Sequence, residues 1–455
     1  MKKKFLGIGS LIFLQVVIVG NLQVLPTNAS YGSSLPFLYL LAVIGFLIPC
    51  VFMVAELATT RPQTGGAYIW CEQAFGPKLG FFSVSILWIS NLLWYPSIFL
   101  LVATNIAYLF DASLAQYKLF IIGTSIVLFW LLTGLNCIGV KFSSRGSVIS
   151  SIIGITFPMM LIIFGGITWW LSGKPLAIPV QHFTFFPDWS HLNIGFLIAI
   201  VISLFGMELT AVHAGNVIKP RRDYPISLLI SSIIVVILLL LSEMAIAAII
   251  PSEKLNLITG LLDALIVLFQ EMHWSYLIGP ILFLVLIGNI GSIAAWMLGS
   301  TRGMYVACHK NHVGKFLQQA NRFEAPVGVL IVEAIIFTIV SLVFLLFPKM
   351  VDSFWLLLDL ASQVTLIYYI ILFIATIRLR YLPRSAEGFI IPGGNGILWI
   401  MMGVGVLTSV LALLAGFIPP DDLAPNEVFL FRLIMSLGLI STLLIPSLLL
   451  ALRKR

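Results

Sequence analysis

One acid stands alone inside an apolar run. Glu208 follows Gly206 by two residues in Ile200-Val201-Ile202-Ser203-Leu204-Phe205-Gly206-Met207-Glu208-Leu209-Thr210. An ionisable group at bilayer depth is costly and marks a functional site, and Gly206 lets the backbone open beside it. A second interruption falls near the start of the chain, at Gly20-Asn21-Leu22-Gln23 followed by Leu25-Pro26-Thr27-Asn28. Gly and Asn are poor inside a helix, and Pro26 has no backbone N–H to donate. A helix broken here bares N–H groups at the start of its second half, where the helix dipole suits an anionic carboxylate. The alternative reading is a loop at the outer membrane edge. For Glu208 the two readings are proton binding or gating on one side and a structural hydrogen bond on the other. Asp359 and Glu243 are further acids in apolar runs, with coupling or internal hydrogen bonding as their alternatives. Tyr368 and Tyr369 either close a cavity or face lipid. Glu333 receives no role, and His213 reads as an interfacial hydrogen bonder.

This is the chemistry of binding, not of bond making. The sequence holds no P-loop, no HExxH, no GxSxG and no cluster of metal ligands. Cys50, Cys71, Cys137 and Cys308 have no CxxC spacing, so neither a disulfide framework nor a zinc site is expected. We expect no catalytic residues, no cofactor and no metal. Without an ATPase module, any movement of solute must be driven by substrate or ion gradients.

The elements that position such residues follow from composition. Hydrophobic residues make up 60% of the 455 and charged residues 9%, where soluble domains average about 25% charged. A folded surface in water cannot be covered with so few polar groups. A spanning helix takes ~20 mostly apolar residues, and such stretches lie at about 5–25, 34–58, 80–110, 118–138, 147–171, 192–213, 225–250, 275–300, 326–347, 351–376, 397–418 and 428–452. The prediction is an all-α integral membrane protein of about twelve spans, one domain over 1–455. Lys2, Lys3 and Lys4 before the first run resemble a secretory signal, but eleven further spans favour an uncleaved first span. With the N-terminus inside, only Lys118, Lys174, Lys254, Lys349 and Arg432 of the 25 lysines and arginines fall outside. That is a strong positive-inside bias, with both termini cytoplasmic. The net charge of +7 is thus a matter of topology and not of nucleic-acid binding. Trp169, Trp170 and Trp274 read as interfacial belt residues. The amphipathic segment 256–271 reads as a short helix on the outer face.

The motifs resemble a known family. Ala55-Glu56-Leu57-Ala58-Thr59-Thr60-Arg61-Pro62-Gln63-Thr64-Gly65-Gly66-Ala67-Tyr68 looks like the loop after span two of the amino acid–polyamine–organocation superfamily. Phe205-Gly206-Met207-Glu208, with Lys219-Pro220-Arg221-Arg222-Asp223-Tyr224-Pro225, resembles its sixth span and cytoplasmic exit. Phe185-Phe186-Pro187-Asp188-Trp189-Ser190, Arg302-Gly303-Met304-Tyr305-Val306 and Ile391-Pro392-Gly393-Gly394 are similar to bacterial glutamate/GABA antiporters.

The resemblance implies a five-plus-five inverted repeat (5–171 and 192–376) with broken first and sixth helices and two additional helices (397–452). It implies small amino acids as substrates and the bacterial inner membrane as location, with membrane lipid as surroundings. Carried over, the substrate carboxylate meets amides near Gly20, Asn21 and Leu22, and the ammonium meets carbonyls around Ile202, Ser203 and Phe205. Asn91 and Trp94 of span three and Trp296 of span eight line the cavity. Glu208, Asp359 and Tyr368 are the coupling or gating candidates, and segment 256–271 becomes a lid. Two departures are visible. The superfamily's Gly-Ser-Gly reads Val19-Gly20-Asn21 here, and the chain stops at Arg455 without the tail that closes some acid-resistance antiporters. The expected activity is amino acid antiport by alternating access. Proton-coupled symport, and a sensor or channel on the same scaffold, are the alternatives. The oligomeric state is not legible.

Overall fold

The computed structural model describes residues 7–63, 65–138, 152–178, 185–187, 197–256, 259–343, 345, 350–384, 386–419 and 425–451. Lys2, Lys3, Lys4, Lys141, Arg145, Lys349 and residues 453–455, which carry part of the topology argument, lie outside these residues. So do Asp188, Trp189, Ser190 and the side chain of His213.

Both interruptions read from the sequence break their helices. Helix α1 (Ile8–Val19) ends where Gly20 leaves helical geometry (ψ 96°) and Asn21 is extended; a 3-10 turn, Leu22–Val24, then leads into the short α2 (Leu25–Ala29). Asn21 caps that turn with its side-chain oxygen on the Gln23 N–H (3.0 Å), and Pro26 occupies the first turn of α2, where a missing N–H costs nothing. The segment is not a loop: Leu22 through Ala29 are helical and all buried. α3 (Gly32–Thr60) follows, with a π-helical turn at Val43–Leu47.

The stretch resembling a simple loop after span two contains a helix. Gly65 (φ +127°) and Gly66 (φ +51°) turn the chain, and α4 (Ala67–Phe75) packs Tyr68, Trp70 and Cys71 into the interior. Left-handed geometry of this kind falls to glycine, and the apolar spacing 67, 70, 71, 74 supplies the buried face. α5 (Pro77–Phe110) is the central helix: 89% of its most apolar window is buried, and it packs against α11 (Ile278–Asn311) and α13 (Met350–Arg380). α6 (Lys118–Cys137) and α7 (Ile152–Leu171) come before α8 (Leu197–Ile202), where the chain breaks again. The 3-10 segment Met207–Asn216 then leads to α9 (Pro220–Ile249). α10 (Gly260–Glu271) is the expected short amphipathic helix. It buries Leu261, Leu262, Leu265, Leu268 and Phe269 against α2, α7 and α9, and Glu271 pairs with Lys174 (2.6 Å). α12 (Val327–Val343), α14 (Gly394–Ala415) and α15 (Pro425–Ala451) complete the described elements. Only 17% of the α15 window is buried, as suits a helix facing lipid.

Among the described residues ten helices are long and apolar enough to cross a bilayer, and two apolar helices, Ile198–Ala211 and Val327–Leu342, are shorter. These residues form no strand. Close approach of helices in this solvent depends on small residues. Gly154 and Gly288 lie backbone against backbone, so a methyl group on either would strike the other's main chain.

Candidate functional site

The two breaks face each other. Gly206 is in left-handed geometry (φ +107°), and a Cβ there would stand 2.7 Å from Ile18 Cγ2 and 3.0 Å from Trp296 Cζ2. Trp296 on α11 therefore sits at the junction. Its Nε1 donates to the Ile18 carbonyl (2.8 Å), just before the first break, and its ring lies 5.4 Å from that of Trp94 on α5. The sixth-span break is held from α13. The Tyr369 hydroxyl accepts the Gly206 N–H (2.8 Å) and donates to Glu208 Oε2 (2.6 Å). Glu208, 2% exposed, is thus tied to the break it follows. Phe205 packs on Phe46 and Tyr369, with ring centroids 5.2 and 4.9 Å away.

The breaks release backbone groups of opposite polarity. The N–H groups of Asn21 and Leu22 have no acceptor among the described residues, whereas the Gly20 N–H is used by the Val16 carbonyl (2.7 Å). On the other side the Ile202 carbonyl accepts from the Phe205 N–H (3.0 Å), while those of Ser203, Leu204 and Phe205 receive no backbone donor among the described residues. Donors from one broken helix and acceptors from the other suit a ligand carrying both a carboxylate and an ammonium. The Gly20 N–H and the Ile202 carbonyl are already engaged within the backbone.

Other sequence-derived residues are placed less directly. Asn91 is buried (3%) one turn before Trp94, and its Nδ2 has no partner among the described residues. Asp359 lies near Tyr31: burial first, and then the Asp359 carboxyl, push the Tyr31 phenol well above its ordinary range. Tyr368 is buried, not lipid-facing, and its hydroxyl has no partner among the described residues. Glu333 accepts from Trp88 Nε1 (2.6 Å).

A family model described as amino acid permease matches residues 5–440. The chain belongs to the amino acid permease family. This permease is 37% identical to an uncharacterized transporter of Legionella pneumophila over 98% of its own length and 96% of the relative's. It is 25% identical to a glutamate/gamma-aminobutyrate antiporter of Lactococcus lactis (98% and 90% covered). It is 24% identical to a probable agmatine/putrescine antiporter of the same species (92% and 89%). The helices and the family together make the permease a multi-pass membrane protein.

The sequence left Tyr369 between closing a cavity and facing lipid, and gave Gln23 and Gln15 no role. Tyr369, not Tyr368, holds the permease's sixth-span break. Both lie on a helix buried on most of its faces, so a 3.6-residue period does not choose between them. Gln23 Nε2 donates to Ser97 Oγ on α5 (3.0 Å), fastening the first break to span three. Gln15, a lone amide in α1, reaches Thr210, Ser227 and Ser231, at 3.5, 3.4 and 2.8 Å. The signal available for both was an amide inside an apolar run.

Proposed function

We propose that this permease exchanges small amino acids across the bacterial inner membrane by alternating access. The carrying observation is the apposition of the two breaks around Trp296, with unpaired N–H groups on one and carbonyls on the other. The substrate carboxylate binds at Asn21 and Leu22, and the ammonium at Ser203 and Phe205. The substrate side chain is read by Asn91, Trp94 and Trp296. No lysine or arginine among the described residues contacts the breaks, so the side chain enters in neutral form. The antiporter names of the Lactococcus relatives support exchange. In this reading about twelve spans form a five-plus-five inverted repeat (5–171 and 192–376) with two additional helices (397–452), and both termini are cytoplasmic.

Proteoliposome counterflow, with twenty amino acids and their decarboxylated amines, tests the proposal. Unlabelled internal substrate accelerates uptake of external label. Uptake into empty vesicles driven only by a pH gradient indicates symport instead. Trp296→Ala removes an indole donor and an apolar wall. Its half-saturation concentration rises roughly tenfold, the worth of one hydrogen bond of about 1.4 kcal/mol. Asn91→Ala changes the order of substrate preference. Parental behaviour in both variants overturns this site assignment.

A further inference from the structure

A second buried acid is wired to both broken helices without lying at the substrate site. Glu243 on α9 is fully buried. Its Oε1 accepts from Asn28 Nδ2 on α2 and from the Tyr39 hydroxyl on α3, each at 2.8 Å. The Tyr39 oxygen also lies 3.4 Å from Ser203 Oγ, at the start of the sixth-span break. One carboxyl thus joins the second half of the first broken helix to the second span, and its Tyr39 partner touches the sixth-span break.

Its other oxygen is left over. Among the described residues Glu243 Oε2 is buried without a hydrogen-bond partner, and so are two atoms on α2, Asn28 Oδ1 and Thr27 Oγ1. A buried carboxylate that keeps an unpaired oxygen is among the costliest groups a protein can hold, and more so in lipid. Two acceptors, Oε2 and Asn28 Oδ1, each need a donor. No cation meets them: among the described residues Glu243 forms no ion pair. Among the described residues Tyr39 is the one titratable side chain in hydrogen-bond contact with it. Of the acids on elements packed against α9, Glu56 on α3 is paired with Arg380, Asp263 on α10 is held by Thr259 and Tyr108, and Glu271 on α10 is paired with Lys174.

We propose that Glu243 is a proton-binding site that couples protonation to the position of α2. A proton on Oε2 removes the buried charge and supplies the donor that Asn28 Oδ1 lacks. It fastens α2 to α9. Proton loss leaves two acceptor oxygens on adjoining groups and loosens α2, and the Tyr39–Ser203 contact carries the change to the sixth-span break. Glu208 is a poorer choice, since Tyr369 already serves it and none of its atoms is among the orphaned ones. Glu333 also has an orphaned oxygen, but its one hydrogen-bond partner among the described residues, Trp88, hydrogen-bonds to neither break.

Glu243→Gln imitates the protonated group, because its amide keeps an acceptor for Asn28 and Tyr39 and adds a donor. The proposal rests on the exchange reading for its transport readouts. In proteoliposomes with equal pH on both sides, parental counterflow changes by up to about tenfold per pH unit over the titrating range. Glu243→Gln keeps counterflow and loses the pH dependence. A pH-flat parent, or a variant that follows the parent's profile, overturns the proposal. A sodium requirement without any proton movement, tested in sodium-free buffer, also overturns it, because the oxygens then hold a metal cation. Should Glu243→Gln fail to fold, Tyr39→Phe decides: losing one donor to the ionised form moves the profile to higher pH, and an unmoved profile refutes the site. If no amino acid gives counterflow, the exchange reading fails by itself. Infrared difference spectra of purified parent and Glu243→Gln then report the proton separately, as a carboxylic-acid carbonyl band present in the parent and missing from the variant.

Discussion

Gly206→Val abolishes transport while leaving a folded protein in the membrane. Valine at φ +107° is strained, which costs about 1–2 kcal/mol for a left-handed conformation. Its Cβ also stands 2.7 Å from Ile18 and 3.0 Å from Trp296, and overpacking of this kind costs roughly 1–3 kcal/mol. The new side chain can be relieved only by driving the two breaks apart or by displacing the indole from the Ile18 carbonyl. Both effects act where the two breaks meet, the proposed substrate site. Together they amount to about a hundredfold or greater loss of counterflow, since ~1.4 kcal/mol is tenfold. Gly299→Ala on α11 is the control, because its Cβ meets nothing closer than 3.7 Å, and it retains parental rates. A monodisperse Gly206→Val protein with parental counterflow would remove the breaks from the mechanism.

Arg380→Met destabilises the fold more than any surface substitution. Arg380 Nη1 lies 2.6 Å from Glu56 Oε2, with both side chains 4% exposed. The pair is also a clasp: Arg380 Nη2 donates to the Ile391 carbonyl (3.0 Å), and the Ile391 N–H donates to Glu56 Oε2 (2.9 Å). The ends of α3 and α13 are thereby joined to the segment that leads into α14. Removing one partner leaves a buried, uncompensated charge, at a cost of about 3–5 kcal/mol. Replacing both by apolar residues of similar volume is far less costly, because the desolvation penalty goes too. Arg380→Met therefore lowers the midpoint of thermal unfolding in detergent, and adding Glu56→Leu restores much of it. A double variant that unfolds earlier than the single one shows that Glu56 stabilises through the Ile391 N–H even without Arg380.

The same region shows how far a motif can be read. Glu56 and Arg61 were legible as part of a family stretch, and Arg380 only as a cytoplasmic charge. That Arg380 meets Glu56, and that Arg61 donates to the Gln73 side chain and the Leu379 and Pro383 carbonyls, could not be read. These partners are separated by up to several hundred residues, and only the crossing of α3 and α13 brings them together. The helix Ala67–Phe75 was missed for a related reason. Its nine residues are too short for a span signal, and its apolar face has meaning only against α5 and α13.

The membrane-embedded helices and the two places where they fail were determined by the sequence alone. Long apolar runs leave the backbone no choice but the helix in lipid, and Gly20, Asn21 and Gly206 are residues at which that helix is cheapest to leave. The tertiary structure alone decided what meets what at those breaks: Trp296 with Ile18, Tyr369 rather than Tyr368 with Glu208, and Glu243 with Asn28 and Tyr39. A helix's rotation about its own axis and its crossing angle set these pairings. Both depend on the packing of every neighbour at once, so the local residue pattern does not carry them.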